Sequence, residues 1–200
     1  MALAMALDTK DRILDAALIL FLEQGLAATR ISQICKRAKV SNGSLFHFFP
    51  NKEAIGVALY VGAIASYQAA LIGELAGSHP PAKMLRALVL SHWDWVFAER
   101  PRARFIFLQG PPSWHPEAEA QIQQHNARAQ AALGQWLGEP SQRAALRDIP
   151  LDAFTPILLG ASMMATRAWL RAPDPQPTTM HVSLFADAAV RSLLKDKSDD

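Results

Sequence analysis

The chain has 200 residues, with 20 lysines and arginines against 18 aspartates and glutamates, for a formal net charge of +2. That length suits one helical domain with a small appended module rather than two large independent folds. Half of the residues are apolar, enough for a core, yet no window reaches the roughly 18 uninterrupted apolar residues of a membrane span, so no membrane partner is expected. The opening MALAMALDTK has no basic stretch ahead of an apolar run, and the single cysteine, Cys35, cannot close an internal disulfide or a thiolate metal cage. Both point to a cytoplasmic, reducing setting. The distribution of charge says more than its sum: between Gln24 and Lys52 there is no acidic residue, while Arg30, Lys36, Arg37, Lys39 and Lys52 fall in that window. A local excess of this kind follows a phosphate backbone well, although by itself it describes many solvated helix faces.

From Thr9 to Gln24, residues Ile13, Ala16, Ala17, Leu20 and Phe21 recur at helical spacing, with Asp8 or Thr9 as cap and Gly25 just beyond the end. Ile31, Ile34, Cys35 and Ala38 then mark a second, short helix with Thr29 as N-cap. Lys39 and Val40 form a tight link to Ser41, a second N-cap, after which Leu45, Phe48 and Phe49 are expected to point inward from a third helix. Pro50 stops that helix and Asn51 caps a fourth, from Lys52 to about Leu75. Beyond it, prolines cut the chain into helix-length pieces near Ala82 to Ala98, Arg102 to Gln109, Glu117 to Leu137, Asp152 to Trp169 and Thr179 to Leu194. No strand pattern competes, and the fold class is all-α.

The stretch TRISQICKRAKVSNGSLFHFFPNKEAI resembles the signature of the tetracycline-repressor (TetR) family, T-T-hydrophobic-x-x-I-A-x-x-A-G-V-S-x-G-T-L-Y-x-H-F-x-x-K-x-x-L. Thr29, Ile31, Ile34, Ala38, Val40, Ser41, Gly43, Leu45, Phe49, Lys52 and Ile55 match it in identity or type. The resemblance implies an N-terminal three-helix DNA-binding module with a helix-turn-helix, residues 8–56. A fourth helix joins it to a C-terminal helical ligand-binding and dimerisation bundle, residues 57–200. It implies a homodimer on a palindromic operator in double-stranded DNA, a small apolar or aromatic effector, no cofactor and no enzymatic activity. Repression relieved by ligand is the commoner behaviour in such proteins, with activation as the other direction.

Two departures change the contact chemistry. Lys39 stands where the signature has glycine, at a turn expected to need positive φ, at a cost of about 1 kcal/mol. Phe46 replaces the usual tyrosine and loses a phosphate-donating hydroxyl, but offers a ring to a thymine methyl. The expected DNA-binding residues are Thr29, Arg30, Lys36, Lys39, Ser41, Asn42, Gly43, Ser44, Phe46, His47 and Lys52. Of these, Asn42, Ser44 and His47 are expected at base edges, with Gly43 permitting close approach, and Arg30, Lys36 and Lys52 at phosphates.

All five tryptophans lie beyond residue 90. They serve equally as ordinary core or, by the resemblance, as the lining of an effector pocket made by Trp93, Phe97, Phe105, Phe107, Trp114 and Met164, with His92 and Gln109 as polar groups. By the same resemblance Ile157, Leu158, Ala161, Ala165 and Ala168, with Phe185, Ala189 and Leu193, form a two-fold helical interface. Cys35 reads as a small buried hydrophobe. His115 and His125 do not have a metal spacing, and no metal or catalytic site is expected. Two other readings of the chain stay open: a similar regulator with no small-molecule ligand, and an all-helical enzyme or carrier that only borrows a helical hairpin.

Overall fold

The first helix starts at Thr9 because Asp8, in extended conformation, accepts the Thr9 N–H at 2.6 Å. The computed structural model describes residues 8–77, 79–109, 116–172 and 179–195. Helix α1 (Thr9–Ala28) is helical as far as Gln24, breaks at Gly25 (φ 80°, ψ 159°), and adds one further turn. Only glycine adopts that φ and ψ cheaply, so the expected helix end is a real break inside a longer element. Its face Ile13, Ala17 and Phe21 is wholly buried.

Helix α2 (Ile31–Ala38) buries Ile34, Cys35 and Ala38, and α3 (Asn42–Phe48) buries Leu45. These three helices pack on one another. Helix α4 (Lys52–Leu75) begins where Asn51 Oδ1 accepts the Ala54 N–H at 2.7 Å. By length and composition it is apolar enough to cross a membrane, but it places Ile55, Leu59, Tyr60, Ala63 and Tyr67 in the protein interior.

There follow α5 (Pro81–Ala98), α6 (Arg100–Gln109), α7 (Pro116–Gly138), α8 (Pro140–Ala145), α9 (Leu151–Arg171) and α10 (Thr179–Leu193). Pro81 and Pro140 sit in the first helical turns, where the missing N–H costs nothing. The six-residue α8 has no buried residue, so it leaves no hydrophobic pattern by which it could be foreseen. Among the described residues there is no strand. One isolated bridge joins Leu146 to Leu194, where Arg147 N donates to Leu193 O at 2.9 Å and ties the turn after α8 to the end of α10.

The chain divides into two compact units: Met1–Ala63 with Pro101–Gln121, and Ile64–Arg100 with Ile122–Asp200. In the first, Phe105 of α6 stacks on Phe21 at 6.3 Å and tilts against Tyr60. In the second, α5, α9 and α10 pack mutually, and Arg86 of α5 pairs with Asp187 of α10.

Candidate nucleic-acid interface and bundle cavities

Helix α2 ends at Lys39, whose backbone lies in the left-handed region at φ 56° and ψ 48°. It is the one non-glycine residue with positive φ among those described. The Val40 N–H reaches back to Cys35 O at 3.0 Å, closing the helix end as a Schellman-type bond does. The turn geometry therefore keeps the form a glycine would give, and lysine carries the steric cost. At the next helix start Ser41 Oγ accepts the Ser44 N–H at 3.0 Å and lies 2.9 Å from the Ser44 hydroxyl. Ser41 is an N-cap, and the Ser44 side chain, expected at a base edge, is turned back onto that cap.

On α3 the exposed residues are Asn42, Gly43, Phe46, His47 and Phe48. Asn42 with Phe46, and Gly43 with His47, are each four residues apart and so share adjoining strips of one face. Phe46 is 51% exposed. Phe48, expected to point inward, is 37% exposed and meets the His47 ring edge-on at 5.0 Å. The buried pair is Leu45 and Phe49. Arg30, Lys36 and Lys39 are all exposed.

Two expected DNA contacts are placed differently. Thr29 is not the N-cap of α2: Arg30 takes that position, its N–H held by Gln33 Oε1 at 2.7 Å. Thr29 is 1% exposed, and its hydroxyl donates to Gly25 O at 2.8 Å, across the break in α1. That bond closes the break and turns the hydroxyl away from solvent. Lys52 donates from Nζ to Ala27 O at 2.8 Å and to Thr29 O at 3.1 Å. Two of its three N–H bonds thus cap the carbonyl end of α1, where a cation is favoured. Cys35 is buried and its thiol pKa is raised by desolvation, as expected of a small hydrophobe.

The expected pocket residues are not brought together. Phe105 belongs to the first unit's core, and exposed Gln109 donates from Nε2 to Phe21 O at 3.4 Å in that unit. Phe107 is half-buried on the same helix. Met164 is 71% exposed, and Trp114 lies outside the described residues. Trp93 and Phe97 do share a cavity of about 240 Å³ with Ala165, Ala168, Trp169, His181, Val182 and Phe185. His92 is fully buried, 2.8 Å from both the Tyr67 hydroxyl, at Nδ1, and the Thr166 hydroxyl, at Nε2. Desolvation pushes its pKa down to about 4 and that of the Tyr67 phenol up. A neutral imidazole donates from one nitrogen and accepts at the other, so the three groups form one directional hydrogen-bond chain. Trp93 Nε1 donates to Ser162 Oγ at 3.2 Å.

A second cavity, of about 290 Å³, was missed by sequence reasoning. Its lining is Tyr67, Gln68, Leu71, Ile72 and Leu75 of α4, Leu88 of α5, Asn126, Ala129, Gln130 and Leu133 of α7, and Leu151, Asp152, Thr155, Leu158, Leu159 and Met163 of α9. No aromatic cluster marks it, because it is aliphatic with an amide rim.

The expected interface residues also separate. Leu158, Ala189 and Leu193 are buried within the chain's own bundle, and Phe185 stacks on Trp93 at 6.0 Å. Ile157, Ala161 and Ala168 are exposed, and Ala165 is half-buried. Met164 joins the exposed residues at helical spacing, giving an outward apolar stripe on α9. Leu184 of α10 is 55% exposed. Among the described residues no group of His, Cys, Asp and Glu is arranged to hold a metal ion.

Two short helices joined by a tight turn, the second capped and presenting small and polar residues to solvent, make this a helix-turn-helix protein. Residues 13–59 match the family described as bacterial regulatory proteins, tetR family. The chain is 44% identical over 63 residues to the HTH-type transcriptional regulator YxaF of Bacillus subtilis, covering 30% of this chain and 33% of YxaF. It is 29% identical over 121 residues to the HTH-type transcriptional repressor NicS of Pseudomonas putida, covering 60% of this chain and 55% of NicS. The chain thus spans about a third to a half of the length of these relatives. Among solved structures, the regulator FadR of Bacillus subtilis in complex with stearoyl-CoA has the same fold, with a TM-score of 0.73 at 17% identity, over 90% of this chain and 97% of that one. The likeness to that family rests on residues 13–59 and on these partial alignments.

Proposed function

We propose that the chain is a one-component regulator of transcription that binds a palindromic operator as a homodimer and releases it when a small molecule enters the C-terminal bundle. The observation that carries this reading is the exposed α3 face of Asn42, Gly43, Phe46 and His47, flanked by Arg30, Lys36 and Lys39 with no acidic residue between positions 24 and 52. Asn42 and His47 reach base edges, Phe46 lies against thymine methyl groups, and the three cations, with the remaining N–H of Lys52, hold phosphates.

In functional terms residues 8–56 are the reading head, and 57–200 bind effector and partner copy. The α9 stripe of Ile157, Ala161, Met164 and Ala168, with Leu184 of α10, is the face offered to that copy; a two-fold pair then sets the two heads on a palindrome. Helix α4 carries Lys52 at one end and cavity-lining residues from Tyr67 to Leu75 at the other. Effector binding shifts the population of α4 positions. A near-complete switch needs about 5.5 kcal/mol of preference between the two states. The bound stearoyl-CoA of Bacillus subtilis FadR and the repressor role of NicS support the ligand and the direction of control.

Selection of binding sites from random DNA, repeated with metabolite extract, tests the reading. A palindrome is expected. Asn42→Ala and His47→Ala then weaken binding to it selectively, whereas Lys36→Ala weakens binding to all sequences alike. Unchanged affinity in the first two variants would reject this orientation of α3, and failure to enrich any sequence would reject the function.

A further inference from the structure

The 290 Å³ cavity of the bundle restricts the chemistry of what enters it. Its lining contains one charged residue, Asp152, and no lysine, arginine or histidine. Asp152 stands in the first turn of α9, exposed, with no hydrogen bond or ion pair among the described residues. Behind Tyr67, the buried His92 is neutral and brings no positive charge. The amide of Gln68 is fixed by donation from Nε2 to Asn126 Oδ1 at 2.6 Å, which leaves its Oε1 shielded from solvent without a partner. Gln68 Oε1 and the Asp152 carboxylate are both acceptors, and the neutral amides of Asn126 and Gln130 lie at the exposed rim.

An anion entering here would give up its hydration with no cation to replace it, beside a carboxylate. A ligand bearing N–H bonds and positive charge meets the reverse. At about 290 Å³ the space admits the body of a compact ligand, while any longer part would remain in solvent.

We propose that this cavity binds a compact amphipathic amine, its apolar body against Leu71, Leu88, Leu158 and Leu159 and its ammonium group held by the Asp152 carboxylate. The inference rests on the reading of the bundle as effector-binding and names the chemistry of that effector. Anionic acyl compounds are disfavoured by the charge of the lining.

Calorimetric titration of the full chain with 2-phenylethylamine, 2-phenylethanol and phenylacetate tests it, since the three probes are close in size and differ in charge. The amine binds tightest and phenylacetate does not bind. Asp152→Asn weakens the amine about fivefold, the range of a solvent-accessible ion pair, and leaves the alcohol unchanged. Gln130→Lys, at an exposed rim position, reverses the preference and admits phenylacetate. Phenylacetate binding the parent chain as well as the amine does, no heat with the amine, or indifference of the amine to both substitutions would overturn the proposal. The regulator reading fails separately: an amine that binds without releasing selected DNA refutes the coupling and leaves the site standing, whereas DNA released by extract without amine binding refutes only the amine.

Discussion

Acidification isolates the contribution of His92. The ring is wholly buried between Tyr67 and Thr166, and burial lowers its pKa from 6.5 to about 4. In the unfolded chain the imidazole takes up its proton near pH 6.5; in the folded chain it does so only near 4. Between those values the unfolded state holds more protons, so stability falls as pH falls. The contribution is fully present above about pH 6.5 and is gone by about pH 4. A fall from 6.5 to about 4, at about 1.4 kcal/mol for each pH unit, corresponds to about 3 kcal/mol. Urea unfolding followed by tryptophan fluorescence, across a series of pH values, measures it. His92→Gln keeps a donor and an acceptor but does not titrate, so its stability is expected to lose about 3 kcal/mol less than the parent over that window. Parallel pH profiles for the two proteins would refute the reasoning, as would a His92 ring resonance titrating near 6.5.

Four further outcomes are expected. Phe21→Ala removes a fully buried ring stacked on Phe105 and should lower unfolding free energy by about 3–5 kcal/mol in the same urea assay; a loss below about 1 kcal/mol would mean the first unit's core collapses onto the cavity. Lys39→Gly relieves a left-handed lysine worth about 1 kcal/mol, raising the melting temperature by about 2–4 °C. The same variant should lower the log–log salt slope of DNA binding by about 0.9, and an unchanged slope would remove Lys39 from the phosphate contacts. Ile157→Glu combined with Met164→Glu places charges on the exposed α9 stripe and should give a monomer at micromolar concentration in sizing, whereas an unchanged dimer would move the interface elsewhere.

The features legible in the sequence are those decided within about five residues. Gly25 breaks α1, Ser41 and Asn51 cap α3 and α4, and Lys39 occupies a left-handed turn, because each outcome depends on one residue's sterics or on a side-chain oxygen three positions from its N–H. The exposure of Asn42 and His47 followed from helical periodicity in the same way, whereas Ser44, read as outward, is half-buried against the Ser41 cap, and Phe48, read as inward, is exposed. The residues read differently from the sequence depend on which faces the tertiary fold covers. Thr29 is buried against α1 and overlaid by the Lys52 ammonium from 23 residues on, and Met164, apolar enough for a core, sits on the outward side of α9.

Composition pointed to an aromatic pocket, whereas packing set Phe105 in one unit and Trp93 in the other. The aliphatic cavity needs Gln68 and Asn126, 58 residues apart, and Asp152 of a third helix to converge. Sequence alone set nine of the ten described helices, the caps at Ser41 and Asn51 and the helix-turn-helix, because short-range geometry is set by neighbours. Which apolar faces meet, which are left outward, and that the Asp152 carboxylate borders the aliphatic cavity were decided only by tertiary packing, since helices with similar apolar stripes differ in what they face.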